Sequence, residues 1–323
     1  MNEWKKHPDN PILGPGYCIL AIFDVCVVPE GGKLRMWFSW RDLHSIGYTE
    51  SKDGVHWTAP RIVLEVTPNI QWTRVYSNYI TKNTYFPSAV PPEKVSPSLE
   101  WEKDGINRPH VLRVGNTWYM WYTGRNRDTG RTAIGLATSE DGIHWVRMGT
   151  NPVLEPCEEW EKSCVECPHV LYEGSKFRLW YSGGDMYEPD AIGYAESKDG
   201  IHWERELTNP ILCPADGWEA DKVTAACIVP RKKDYIAFYI GFEKGFEESR
   251  IGMARSKDGI HNWERYPKNP IIGPGPKGSW DDCNIYKPYV VYFRNQWYLW
   301  YNASRFSDRR EQVGLAIISN INF

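Results

Sequence analysis

The sequence predicts an all-β protein, a single five-bladed β-propeller with four strands to a blade. Three observations carry this. A seven-residue string recurs four times: Ser51-Lys52-Asp53-Gly54-Val55-His56-Trp57, then Ser139 to Trp145, Ser197 to Trp203, and Ser256 to Trp263 with one extra residue. An Ile-Gly pair precedes each string, at Ile46, Ile134, Ile192 and Ile251, and a fifth such pair, Val313-Gly314, stands near the end of the chain. Upstream of every pair lies an aromatic segment and, before it, an apolar one.

These pieces order themselves as strands. The apolar segments at 24–28, 109–112, 168–171, 226–229 and 288–291 are read as first strands. The aromatic segments at 36–38, 120–122, 179–181, 237–239 and 299–301 are second strands, and the Ile-Gly segments third strands. The Asp-Gly in each string is a tight hairpin signal, so a fourth strand begins at the following His-Trp. Trp145, Trp203 and Trp263 each precede an Asn by six residues, at 151, 209 and 269, and Trp4 precedes Asn10 by the same six. Residues 3–7 are therefore read as the missing outer strand of the fifth blade, which closes the ring and leaves no exposed edge. The domain spans residues 1–323. Asp53 and Asp141 are 88 residues apart, against 58 and 59 for the next two intervals. The excess marks an insertion at about 66–100 between the first two blades, long enough to suggest a functional loop.

Composition narrows the function. Apolar residues make 41% of the 323 and charged residues 24%, enough for a large core. The net charge of −3 offers no basic field for a polyphosphate backbone, which argues against nucleic acid as a partner. No stretch approaches 18 apolar residues, so no membrane span is expected. The N-terminus lacks the apolar run of a signal peptide, and the protein is expected to be cytoplasmic. Its eight cysteines are then read as reduced, mostly buried thiols. Cys164-x-x-Cys167 has no second pair or spaced His pair to complete a zinc site. No cofactor or protein metal site is expected. A channel ion such as calcium stays open, and the oligomeric state is not read from the sequence.

Repetition separates structural from functional residues. The Ser-x-Asp-Gly hairpins recur in four blades, whereas one active site needs one set of groups. Their Asp and His residues are therefore read as structural. The starts of the first strands, which line the channel of a propeller, keep their apolar positions but vary elsewhere. They read Phe23-Asp24-Val25, Asn107-Arg108-Pro109-His110, Glu166-Cys167-Pro168-His169, Thr224-Ala225-Ala226 and Tyr286-Lys287-Pro288. Asp24, Arg108, Glu166 and Lys287 put charges where a strand is entering the core, which is costly unless they are paired or used. Loops on the same face carry Trp40, Arg41, Arg125 and Asp185, aromatic and planar polar groups. His169, like His110, follows the proline of its strand.

At these residues the chain resembles the propeller glycosidases, glycoside hydrolase families 43 and 32 and their relatives. Family 43 has Asp-Pro at the first inner strand, where this chain has Asp24-Val25. It has Glu-Gly-Pro at the third, where this chain has Glu166-Cys167-Pro168, which is still more similar to the Glu-Cys of family 32. The resemblance implies a carbohydrate substrate, with Glu166 as general acid and Asp24 as base or nucleophile. Such a carboxylate pair stands about 5.5 Å apart in retaining enzymes and roughly 6.5–9.5 Å apart in inverting ones. Both families carry a third Asp on the second blade, where this chain has Arg108; Asp104 and Asp185 are the candidates to replace it. Arg108 and Lys287 together suit an anionic group. The other substrate contacts expected are His169, Asp185, Trp40, Arg41 and Arg125. The alternatives to hydrolysis of a small oligosaccharide or glycoside are a phosphate-using glycoside phosphorylase and a non-catalytic carbohydrate-binding propeller. The chain lacks the Glu-Asp-Pro-Arg signature of related mannoside phosphorylases.

Overall fold

Each repeat folds as an antiparallel meander in which every strand pairs with the next. The computed structural model describes residues 3–14, 16, 21–66, 99–150, 152–185, 189–245 and 248–323. After the N-terminal strand β1 (Lys5–Lys6), the first meander is β2 (Ile22–Glu30), β3 (Lys33–Trp40), β4 (Ser45–Ser51) and β5 (Arg61–Glu65). The second is β6 (Ile106–Val114), β7 (Thr117–Asn126), β8 (Arg131–Ser139) and β9 (Val146–Arg147). The third is β10 (Cys164–Glu173), β11 (Lys176–Gly184), β12 (Ala191–Ser197) and β13 (Glu204–Arg205). A single parallel pairing of Cys164 with Thr132 joins it to the second. The fourth is β14 (Lys222–Pro230), β15 (Tyr235–Phe242), β16 (Ser249–Ser256) and β17 (Glu264–Arg265), and β18 (Asn284–Phe293), β19 (Gln296–Ser304) and β20 (Glu311–Ile318) follow. The last sheet takes its outer strand from the N-terminus, with Lys5 opposite Ile317 and Lys6 opposite Ala316. The interval near 66–100 falls almost wholly outside the described residues.

The recurrent string is a latch between neighbouring meanders. In the first copy Ser51 Oγ accepts from the Gly54 N–H at 2.8 Å, and Asp53 Oδ1 accepts from the N–H groups of Val55 and His56. These bonds hold the turn without using its glycine carbonyl. The second-strand tryptophan of the preceding meander then donates its indole N–H to that carbonyl. Trp37 donates to Gly142 O, Trp121 to Gly200 O, Trp180 to Gly259 O and Trp300 to Gly54 O. The last of these joins the end of the chain to its first meander. The fourth meander has Phe238 at this position and the fifth has no such hairpin. There Trp4 packs edge-on against Phe238, with ring centroids 5.9 Å apart. Asn10 completes the substitution: its side chain bonds both backbone groups of Leu315, as Asn209 does for Tyr194.

A second repeated device went unread in the sequence. Trp101-Glu102, Trp160-Glu161, Trp218-Glu219 and Trp280-Asp281 precede the inner strands of the last four meanders. The indoles lie on the Ile-Gly glycines: a Cβ on Gly135 would stand 2.6 Å from the Trp101 ring, which is why glycine recurs there. The buried acids join the second strand to the fourth. Tyr181 Oη donates to Glu161 at 2.7 Å, and so does Arg205 Nε at 2.7 Å. In the fifth meander Lys6 takes the arginine's place against Asp281. Burial disfavours the Glu161 charge, but Arg205, the Cys157 and Glu158 N–H groups and Tyr181 together hold its carboxyl below the usual range. Stability from this group is therefore complete above the unfolded pKa of about 4.3 and is lost as the pH falls through the lower folded value. Arg205→Met leaves a buried carboxylate without its cation and is expected to cost about 3–5 kcal/mol at pH 7. Urea unfolding at pH 7 and in acid checks this: the deficit against wild type should shrink below about pH 4.

Candidate active site

Every inner strand carries one bulge, and the bulges are in register. They fall between Phe23 and Cys26, Asn107 and His110, Glu166 and His169, Thr224 and Cys227, and Tyr286 and Tyr289. One residue in each bulge has positive φ: Asp24 (53°), Arg108 (54°), Cys167 (55°), Ala225 (55°) and Lys287 (50°). Left-handed backbone is uncommon for residues with a side chain, and its recurrence marks a site rather than an accident. These five equivalent residues lie together in the lining of a cleft of about 560 Å³.

A polar residue on the preceding meander fixes four of the five. Asp24 N–H donates to Asn302 Oδ1 (2.8 Å), Arg108 N–H to Ser39 Oγ (2.7 Å), Cys167 N–H to Thr123 Oγ1 (3.2 Å) and Ala225 N–H to Ser182 Oγ (2.8 Å). The fifth equivalent position is Ile240, which has no acceptor to offer Lys287. Sequence reading missed these residues. Their signal was the position after each aromatic pair, which reads Ser39, Thr123, Ser182, Ile240 and Asn302 down the repeats.

Asp24 and Glu166 are both buried, at 2% and 1% exposure. Arg108 joins them. Its Nη1 donates to Glu166 Oε2 in a close ion pair, and its Nε stands 3.8 Å from Asp24 Oδ2. Ser39 Oγ donates to the same Asp24 oxygen at 3.2 Å. One guanidinium thus lies against both carboxylates. The cleft opens above them between two different walls. One carries Trp40, Arg41, His44, Arg125 and Arg127; the other carries Ile240 and Phe242 beyond Ala225. Burial and the cations of Arg125 and Arg127 lower the His44 pKa, which favours its neutral form.

Glu311, also unread in the sequence, is a further carboxylate of this cleft. It pairs with Arg41 at 3.1 Å and faces Tyr286. Burial, only partly offset by Arg41 and Tyr286, pushes its carboxyl above the usual range. Its signal was the position two residues before each Ile-Gly or Val-Gly, which reads His44, Thr132, Asp190, Ser249 and Glu311.

Two expected substrate contacts lie elsewhere. His169 bounds the bulge, two residues after Cys167, and lines a separate cavity of about 220 Å³. Its Nε2 bonds Ile228 O at 3.1 Å, its ring lies 4.4 Å from that of His110, and burial drives its pKa well below normal. It belongs to a ring of equivalent residues, Cys26, His110, His169, Cys227 and Tyr289, that ties inner strands together. His110 Nε2 bonds Val170 O, Val290 N–H donates to Cys227 Sγ, and the Cys26 thiol donates to Tyr289 Oη. Asp185 lies outside the cleft lining and pairs with Lys162 at 3.0 Å. Asp104, the other candidate for the absent third Asp, accepts from the Arg127 N–H. Trp40, Arg41, Arg125, Arg108 and Lys287 do line the cleft. Among the described residues, no group of three His, Cys, Asp or Glu side chains is placed to hold a metal ion.

Residues 180–315 match the model of the glycosyl hydrolases family 32 N-terminal domain. Rv1502, an uncharacterized protein of Mycobacterium tuberculosis H37Rv, is 30% identical over 225 residues, 67% of this chain and 72% of that one. The chain belongs to the glycosidase-like propeller proteins, in one family with Rv1502. A β-1,2-mannobiose phosphorylase of Thermoanaerobacter sp. X514 is 30% identical over 170 residues, covering 48% of this glycosidase-like propeller and 55% of the phosphorylase. Among solved structures, a thermostable family-43 glycoside hydrolase superposes with a TM-score of 0.69 at 18% identity, over 95% of this chain and 91% of that one.

Proposed function

We propose that this glycosidase-like propeller is an enzyme that hydrolyses a glycosidic bond in a small oligosaccharide or glycoside. The observation that carries the reading is the pair of buried carboxylates, Asp24 in the cleft lining and Glu166 behind it on the Arg108 guanidinium, at positions where the other repeats have no acid. In this reading Glu166 gives its proton to the leaving oxygen, and Asp24 attacks the anomeric carbon or activates water. Proton donation requires Arg108 to release Glu166, and a sugar that engages the guanidinium provides that exchange. Arg41, Arg125 and Trp40 contact the bound sugar.

The same reading takes the five meanders as five blades around one axis, in a single domain with an insertion at about 66–100. The latch from Trp300 to Gly54 and the pairing of β1 with β20 support it. It also places the protein in the cytoplasm. The seven described cysteines are free thiols, five of them buried, which suits a reducing setting.

A second reading, phosphorolysis, is favoured by the mannobiose phosphorylase among the relatives and by the cations of the cleft. Product analysis separates the two. Incubation with aryl glycosides and disaccharides, with and without phosphate, is expected to release free sugar at a rate independent of phosphate. Sugar 1-phosphate formed only when phosphate is present would establish the second reading instead.

A further inference from the structure

The whole chain carries a net charge of −3, yet its cleft is cationic. Among the described residues six cationic side chains line it, Arg41, Arg108, Arg125, Arg127, Lys222 and Lys287, against three carboxylates, Asp24, Asp221 and Glu311. Arg41 pairs with Glu311, Arg108 with Glu166 and Asp24, and Lys222 with Asp190 at 3.4 Å. Lys287 differs. Among the described residues it forms no ion pair, although it is only partly exposed and sits at the cleft floor. Lys287 holds the bulge position of the fifth meander, equivalent to Asp24, Arg108, Cys167 and Ala225, and lines the cleft with them. An uncompensated ammonium on a low-dielectric floor is unfavourable in the free protein and favours an anion that displaces water there. On the far side Ala225, Ile240 and Phe242 offer an apolar wall that suits the C–H face of a pyranose.

We propose that the cleft receives a glycoside whose sugar carries its own negative charge, a uronic-acid carboxylate or a phosphate ester, held by Lys287. This rests on the reading of the cleft as a glycoside site and names the substrate class. The bound anion explains why the third family Asp is absent: a carboxylate at position 108 would repel it. Arg108, placed between Asp24 and Glu166, would share in its recognition.

Isothermal titration calorimetry tests this directly. The probes are glucuronate, galacturonate and glucose 6-phosphate, their neutral parents glucose and galactose, and inorganic phosphate, each at low and high salt. At least one acidic sugar is expected to bind about tenfold tighter than its neutral parent, as one charge-assisted contact provides. That preference should weaken in salt, disappear in Lys287→Met and survive in Lys287→Arg, with thermal unfolding confirming that the variants fold. Preference for glucuronate or galacturonate identifies a carboxylate, and preference for glucose 6-phosphate a phosphate ester. Equal or absent binding of acidic and neutral sugars would overturn the inference, as would an undiminished preference in Lys287→Met. Inorganic phosphate binding as tightly as any acidic sugar would also overturn it, since the anion would then be a separate reactant. Turnover of neutral glycosides without any acid preference would remove this inference and leave the glycosidase reading standing.

Discussion

Arg108→Met is expected to destabilise the fold by about 3–5 kcal/mol and to abolish turnover. Among the described residues, Arg108 is the only side chain that ion-pairs with both Asp24 and Glu166, and both acids are buried. Removing it leaves two buried carboxylates without the cation they share. Met keeps much of the side-chain bulk, so the loss reports the charge and its hydrogen bonds rather than a cavity. Arg108→Lys separates the two functions of the residue. It keeps one positive charge but not the planar fork that meets two carboxylates at once. It should recover part of the stability and little of the activity. Urea unfolding and initial rates on the same preparations check both halves.

Trp300→Ala is expected to lower stability by about 3–5 kcal/mol, as the loss of a large buried aromatic commonly does. The side chain is fully buried, donates to Gly54 O at 3.2 Å, and lies 6.2 Å from the Trp57 ring. It fastens β19 to the first hairpin, so its loss opens the seam between the two ends of the chain as well as a cavity. Leu207→Ala is the control, because that side chain is 99% exposed and should change nothing measurable. The matching variant within the chain is Trp121→Ala, which removes the same bond to Gly200. If the seam is the weaker junction, Trp300→Ala should also raise proteolysis near the N-terminus, and Trp121→Ala should not.

The fold was legible because it is written several times. Asp-Gly turns, Ile-Gly pairs and aromatic segments each mark one strand, and five imperfect copies average out the ambiguity of any single one. Even the outer strand β1 was visible, through the six-residue spacing of Trp4 and Asn10. The same repetition identified Asp24, Arg108 and Lys287 as exceptions at one equivalent position, which the bulges bring together on the cleft floor. Glu166 precedes that position by one residue, and it reaches the site because the Arg108 side chain extends to it.

What the sequence concealed was depth. His169 and Cys167 are two residues apart on one strand, yet the bulge between Glu166 and His169 sends the first into the lower cavity and leaves the second in the cleft. The alternation of a regular strand would not divide them that way. Glu311 and Ser39 were invisible for another reason. Their roles depend on which neighbouring meander they face, and that follows from packing between meanders rather than from local pattern. Asp185 carried a suitable side chain in a loop, but it lies outside the cleft lining and pairs with Lys162.

The most direct test of the site is the rate at which wild type and Glu166→Gln cleave a panel of aryl arabinofuranosides, xylosides, galactosides, mannosides and glucuronides, with sucrose alongside. Gln preserves the shape of the side chain and its hydrogen bonding to Arg108 in part, but it has no proton to give. Wild type should release sugar from at least one member, and Glu166→Gln should be slower on it by about 10² or more, most of all where the leaving group is poorest. Equal rates in the two proteins would contradict the account, because the buried acid held by Arg108 would then have no part in the chemistry.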